Sequence, residues 1–393
     1  MPPRPSLLEI FLVALRLGCT SFGGPVAHLA FFRQEYVVKR RWLDEAHYAD
    51  LVALCQFLPG PASSQTGFGV GYLQRGLAGG LAAWLGFTLP SALLMIGFAY
   101  GVASLGDLAA AGWLKGLKAA AVAVVAQAVL GMWRNLCPDL PRSVLASASA
   151  GVLLLLPQVW SQVGVIAAGA ALGWVFLQTP DTAPQVASPG LSRQAGAAWL
   201  AAFFTLLVLL PVLAHVTAHP ALGIFDRFYR VGSLVFGGGH VVLPLLEREV
   251  VAPGWVTHDQ FLAGYGAAQA VPGPLFTLSA YLGAVTNHGP GGVAGGAWAL
   301  LAIFLPALLL VAGALPFWQA LRHRPAAQAA LRGANAAVVG VLLAALLVPV
   351  MATGLTGRVS LALAAAAFAA LLTGRIPAWA VVGAAAAVGA CLM

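Results

Sequence analysis

One ordered series of helix-breaking residues occurs twice in this chain, and any fold has to accommodate both copies. Phe22-Gly23-Gly24-Pro25, Trp42 and Gln56-Phe57-Leu58-Pro59-Gly60-Pro61 return as Phe236-Gly237-Gly238-Gly239, Trp255 and Gln269-Ala270-Val271-Pro272-Gly273-Pro274. Further on, Gly79-Gly80 with Pro90 corresponds to Gly295-Gly296 with Pro306, and Lys115-Gly116 to Arg332-Gly333. Spacing holds apart from slips of a few residues in loops. Chance supplies a single Pro-Gly-Pro, but not a series in this order. A hydrophobic chain built from two such halves is, on physical grounds, most often a transporter.

Only 8% of the residues are charged and 60% are apolar, and mean hydropathy is +0.89. Soluble domains carry about 25% charged residues, so the chain is read as an all-α integral membrane protein embedded in a lipid bilayer. Apolar spans fall at 76–104, 113–136, 143–157, 160–177, 197–217, 291–315, 327–350, 359–373 and 376–393, at ~20 residues per crossing. The segments 7–75 and 225–288 are apolar but interrupted. Residues 1–178 then form an N-terminal repeat, 179–218 a linker and connecting helix, and 219–393 a C-terminal repeat. The linker signal is Gln178 to Gln194, rich in proline, serine and glycine.

A net charge of +8 suggests a nucleic-acid partner, but basic residues gather in the cytoplasmic loops of membrane proteins. No basic run interleaved with aromatics lies outside such loops, so no nucleic acid is expected. Cys19, Cys55, Cys137 and Cys391 lie far apart without metal-ligand spacing. They are expected to be buried small hydrophobes, with no metal and no cofactor. The N-terminus lacks the short cleavable core of a secretory signal and is expected to be cytoplasmic.

Charge also orients the halves. Lys39-Arg40-Arg41 is answered in the second half by Ala252-Pro253-Gly254, while Arg322-His323-Arg324 is answered in the first by Gly106-Asp107-Leu108. Equivalent loops thus carry opposite charge character and are expected on opposite sides of the membrane. This predicts two inverted-topology repeats with broken, half-length helices and a site where they meet near mid-bilayer.

At Gly23, Gly24 and Pro25 a helix starting near Leu7 must stop, and Pro25 suits the first turn of a second helix reaching Val38. At Pro59, Gly60 and Pro61 a helix over 51–58 breaks and resumes over 62–73, with Ser63 and Ser64 in its first turn. Gly237, Gly238, Gly239 and Pro272, Gly273, Pro274 repeat both breaks, the latter followed by Thr277 and Ser279. Each break creates a helix start with unpaired N–H groups and about half a positive charge, so four of them can converge as an anion site. The alternative is that they merely kink helices or permit close packing.

Arg16 and Arg230 each stand six residues ahead of their Phe-Gly-Gly. An intramembrane arginine lines a cavity or pairs with a carboxylate, and its fork of donors matches a tetrahedral oxyanion. The competing assignments are a snorkelling arginine or an ion pair with Glu9 or Asp226. Gln56 and Gln269 precede each Pro-Gly-Pro as ligand or gating candidates, and Lys118, opposite Asn335, lies in an apolar span. Glu35, Glu247 and Glu249 read as ion partners near helix ends, and His28 and His240 as packed or capping residues with a possible protonation role. Trp42 and Trp255 read as interfacial anchors.

At these residues the chain resembles the chromate ion transporter family in its long, two-half form. The resemblance rests on Phe22-Gly23-Gly24-Pro25, the charged stretch to Trp42, Gln56 to Pro61 and the glycine-rich Gly67 to Gly71, with matching C-terminal motifs. It implies an inner-membrane secondary transporter that exports chromate, confers chromate resistance, and runs on membrane potential or a proton gradient. Sulfate is nearly the same dianion, so sulfate import or exchange is the alternative. Pairing of two chains into a homodimer is compatible with either. No zinc-protease, serine-hydrolase or P-loop motif is present, so no catalytic residue is assigned and the chain is not read as an enzyme.

Overall fold

A computed structural model describes residues 5–22, 24–104, 112–156, 159–177, 192–235, 242–318 and 324–392. Gly23, Phe236 to His240, Arg322, His323 and most of the expected linker lie outside them. The described residues contain helices and no strand, and five helices are long and apolar enough to cross a membrane.

The first break appears as expected. α1 (Leu7–Thr20) is capped by Ser6, whose hydroxyl accepts the Glu9 N–H at 3.1 Å, and ends before Ser21. α2 (Gly24–Phe32) follows, but the helix expected to run evenly to Val38 widens into a π-helical segment over Arg33–Lys39. That wider turn has the Arg40 N–H donate to the Glu35 carbonyl at 3.0 Å, five residues back. α3 (Glu45–Phe57), capped by Asp44, stops at Pro59.

α4 (Ala62–Ser104) reverses at Arg75 (φ −139°) and Gly76 (φ +60°), so its two arms lie against one another. The arms approach so closely that a Cβ on Gly71 would lie 2.2 Å from the Gly79 carbonyl oxygen. The second half builds the same corner, with Gly283 of α12 (Leu278–Val285) 2.3 Å from the Gly295 carbonyl of α13 (Gly292–Ala314) by the same measure.

α5 (Gly112–Leu136), α6 (Leu140–Leu155), α7 (Val159–Phe176), α8 (Arg193–Thr217), α9 (Pro220–Leu234), α10 (Val242–Val250) and α11 (His258–Ala270) complete the middle of the chain. α14 (Pro325–Ala345), α15 (Arg358–Leu372) and α16 (Ala378–Leu392) end it. These positions agree with the apolar spans read from sequence.

Two compact units form, and each draws on both sequence halves. The first comprises Met1–Tyr100, Thr182–Gly239 and Val271–His323. The second comprises Gly101–Asp181, His240–Ala270 and Arg324–Met393. Within the second, α5 of the first half packs on α15 and α16 of the second, while α14 packs on α6 and α7. Small residues allow this: Leu117, Ala120 and Val124 meet Ala367, Val382 and Ala385, and a Cβ on Gly116 would lie 2.0 Å from the Ala385 carbonyl oxygen. The exchange is reciprocal, each half covering the other's long helix.

One expectation is corrected. Cys55 and Cys137 are buried, but Cys19 and Cys391 are exposed. They sit on outward faces of apolar helices, where a small thiol needs no protein neighbour.

Candidate anion site

Within the first unit the two Pro-Gly-Pro breaks are each tied to the opposite half. The Gly60 N–H donates to the Val235 carbonyl at 2.6 Å, and the Gly273 N–H donates to the Ser21 carbonyl at 3.0 Å. Ser21 and Val235 each directly precede a Phe-Gly-Gly motif, so the two bonds are equivalents of one another. Both glycines have positive φ, +125° and +95°, a region that favours glycine. A Cβ would also lie 2.8 Å from the Ala307 Cβ at Gly60, and 2.8 Å from the Ser91 Oγ at Gly273. Ser91 and Ala307 are again equivalents, each following a mid-helix proline. The breaks thus interlock the halves, and these two N–H groups are committed to carbonyls.

Pro59 and Pro61 organise the start of α4. The Pro59 carbonyl accepts from Gln65 Nε2 at 2.8 Å, and the Pro61 carbonyl accepts the Gln65 N–H at 2.9 Å. The N–H groups of Ala62, Ser63 and Ser64 therefore precede the helical ladder. Around them lie side chains that are buried yet lack partners. Ser21, His28, Ser64, Gln65 and Thr88 are at most 1% exposed, and Ser21 Oγ, His28 Nε2, Ser64 Oγ, Gln65 Oε1 and Thr88 Oγ1 have no hydrogen-bond partner.

Contacts knit this set together. His28 Nδ1 lies 3.3 Å from Ser63 Oγ, and the His28 ring meets Phe87 edge-on at 5.3 Å between centroids. Ser91 Oγ donates to the Thr88 carbonyl at 3.1 Å. Each unsatisfied buried polar group costs about 1–3 kcal/mol, so five within this unit, two of them in the first turn of α4, are a feature to be explained by use.

The second half holds no such cluster at the matching positions. In register with the motifs, Ser21, His28, Ser63, Gln65, Thr88 and Ser91 are replaced by Val235, Val242, Phe276, Leu278, Phe304 and Ala307. Phe276 and Phe304 fill the space with a ring pair at 5.7 Å. The hydroxyls of Thr277 and Ser279 are committed to the Pro274 and Phe276 carbonyls, at 2.8 and 2.7 Å. At these positions the duplicated scaffold thus carries unpartnered buried polar groups on one side only. Ser21 and Thr88 do not stand out in the sequence, whereas Gln65 reads there only as a capping-type residue of the first turn; laying the halves in register exposes the exchange of polar for apolar residues.

The other candidates are placed as follows. Gly24 opens α2 at φ +78°, and a Cβ there would meet nothing within 4 Å. Pro25 follows it in the first turn. Gln56 is exposed on the last turn of α3, whereas Gln269 on α11 keeps a buried Nε2 without a partner. Arg230 forks onto Asp226, with N–O distances of 3.0 to 3.2 Å. Arg16 pairs with Glu35, a different carboxylate from the Glu9 weighed above. Glu35 also accepts from Arg40 Nε at 2.8 Å and faces Lys39 at 3.6 Å. Burial pushes its carboxyl up most strongly of any single influence, but Arg40, Arg16 and Lys39 together bring it below the usual range.

In the second unit Lys118 pairs with Asp259 of α11, and His258 Nδ1 lies 3.1 Å from Glu247 Oε1. The Lys118 and Asp259 side chains are 13% and 30% exposed, so Lys118→Met should strand a half-buried carboxylate. We expect a loss of about 1–3 kcal/mol, read as a lower unfolding temperature in detergent and largely restored in Lys118→Met/Asp259→Leu. An unchanged midpoint in the single variant would show the pair to be dispensable.

A chromate transport protein of Pseudomonas aeruginosa is 29% identical over 348 residues, covering 87% of this chain and 80% of that protein. A probable chromate transport protein of Synechococcus elongatus is 27% identical over 356 residues, covering 88% and 85%. A chromate transport protein of Cupriavidus metallidurans is 26% identical over 356 residues, covering 88% and 83%. No solved structure matches the chain. The chromate transporter family model matches twice, over residues 8–174 and 222–390, each match taking in one copy of the break series. The chain is a multi-pass membrane protein and belongs to the chromate transporter family.

Proposed function

We propose that the protein exports chromate across the cytoplasmic membrane and so confers chromate resistance, with the dianion received at the start of α4. The observation that carries this reading is the set of five buried, unpartnered side-chain atoms on the first turn of α4, on His28 against it, and on Ser21 and Thr88 of the same unit. The hydroxyls of Ser21, Ser64 and Thr88, with His28 Nε2 as a further donor, suit the four oxygens of a tetrahedral oxyanion. A helix start favours negative charge. Gly24 and Pro25 border the approach, and Arg16 and Arg230, each restrained by a carboxylate, add positive potential along the route. Gln56, exposed on the last turn of α3 just ahead of Pro59, acts as a gating group rather than a ligand.

The halves are inverted and the N-terminus is cytoplasmic in this scheme, which tags at residues 40 and 323 on the same face would support. An inside-negative potential drives the anion outward, at about 2.3 kcal/mol per charge per 100 mV. The test is uptake of labelled chromate into everted vesicles, with and without an ionophore, for the native chain and Ser64→Ala. Potential-dependent uptake that falls at least tenfold in Ser64→Ala is expected. Uptake equal in both, or seen only in right-side-out vesicles, would sink the assignment, and the latter outcome with sulfate would favour import or exchange of that anion.

A further inference from the structure

At the foot of α1 an open cleft of about 330 Å³ is lined by Ser6, Leu8, Glu9, Leu12, Val13, Arg16 and Arg40. Its two ends differ in chemistry. Leu8 and Leu12 are 65% and 51% exposed, a continuous apolar wall on the outward side of a membrane-embedded helix. The Arg16 and Arg40 side chains keep 55% and 30% of their surface exposed.

The arginines are held in place. Arg40 NH1 binds Glu9 Oε1 at 2.6 Å and its Nε binds Glu35 Oε1 at 2.8 Å, and its guanidinium stands 5.5 Å from the centre of the Trp42 ring. Arg16 binds the other Glu35 oxygen. With Lys39 beside the same carboxylate, three cations face two carboxylates, and a net positive charge borders the cleft. Lys39, Arg40, Arg41 and Trp42 together are the residue types found at headgroup depth.

We propose that this cleft binds the phosphate headgroup of an anionic phospholipid, with an acyl chain lying along Leu8 and Leu12. The charge is complementary to a phosphodiester, and each guanidinium has five N–H donors, more than its carboxylate partners occupy. An apolar wall continuous with the charged end suits a lipid and gives a free inorganic anion nothing to contact. The cleft shares Arg16 with the route proposed for chromate, but the two readings fail separately, because lipid retention is read without transport.

The test is native mass spectrometry of the purified full-length chain given phosphatidylglycerol, phosphatidylcholine or inorganic phosphate. Phosphatidylglycerol should be retained about tenfold over phosphatidylcholine. Arg16→Gln/Arg40→Gln should remove that preference, and Leu12→Asn should weaken retention of both lipids several-fold. Leu12 faces outward, so this variant and Arg40→Lys keep the test alive if the double variant fails to fold. Equal retention of the two lipids, or a preference unchanged by Arg16→Gln/Arg40→Gln, would overturn the proposal. So would displacement of phosphatidylglycerol by equimolar phosphate, or indifference to Leu12→Asn, either of which marks a free-anion site.

Discussion

Alanine at Gly60 or at Gly273 is expected to abolish transport and to lower the unfolding temperature of the purified protein by several degrees. Two effects add at each site. A non-glycine residue held at φ +125° or +95° costs about 1–3 kcal/mol. Inserting a methyl 2.8 Å from Ala307 Cβ or Ser91 Oγ adds about 1–3 kcal/mol of overpacking. Together these take a large part of the 5–15 kcal/mol that folded proteins typically have. The consequence is also specific, because relieving the strain moves the N–H that joins one half to the other. Gly60→Ala/Ala307→Gly removes the contact with Ala307 but neither the one with Gln65 Nε2 at 2.9 Å nor the dihedral penalty, so it should recover part of the stability. Wild-type transport in both single variants would mean that the cross-half bonds have no part in holding the working state.

Glu35→Gln is expected to have the next largest effect, because it leaves three cations around a neutral amide. Glu35 is 4% exposed, and breaking a buried pair by removing one partner costs about 3–5 kcal/mol. Arg16 and Lys39 are more than half exposed, so water takes up part of the loss and about 2–3 kcal/mol is the better figure. The pH dependence has a definite sign. A carboxyl depressed on folding adds stability that is present above its ordinary value of 4.5 and is lost as pH falls through the lower folded value. The native protein should therefore lose stability on acidification below that value, and Glu35→Gln should lack this part of the decline. Parallel pH–stability curves for the two proteins would remove Glu35 from the account.

Much of this is legible in the amino-acid sequence. Glycine and proline punctuate apolar sequence for stereochemical reasons that do not depend on tertiary context, so the breaks at Gly24, Pro59 to Pro61 and Pro272 to Pro274 were readable. The long apolar spans were too. Local sequence could not show where the freed backbone groups go. Gly60 and Gly273 looked like donors for an anion, whereas each reaches a carbonyl more than a hundred residues away. The Arg230–Asp226 pair was within the reach of local sequence, but it could not show that Glu35, rather than Glu9, would hold Arg16, because the π-helical widening that brings Glu35 to Arg40 has no simple sequence signature. Thr88 and Ser21 escape sequence reasoning for another reason. One hydroxyl in an apolar helix is unremarkable until its equivalent in the other half proves to be phenylalanine or valine.

The reciprocal packing of α5 on α15 and α16, and of α14 on α6 and α7, has a bearing on biosynthesis. α5 leaves the ribosome more than two hundred residues before its partners exist, an interval of roughly 10–40 s at bacterial elongation rates. During that time its alanine-rich face must rest against lipid or against the insertion machinery. An N-terminal fragment ending near residue 178 would stay in that waiting condition indefinitely and should be cleared by proteolysis. Supplying residues 179–393 from a second gene should rescue it, since the two polypeptides complete one another rather than folding apart.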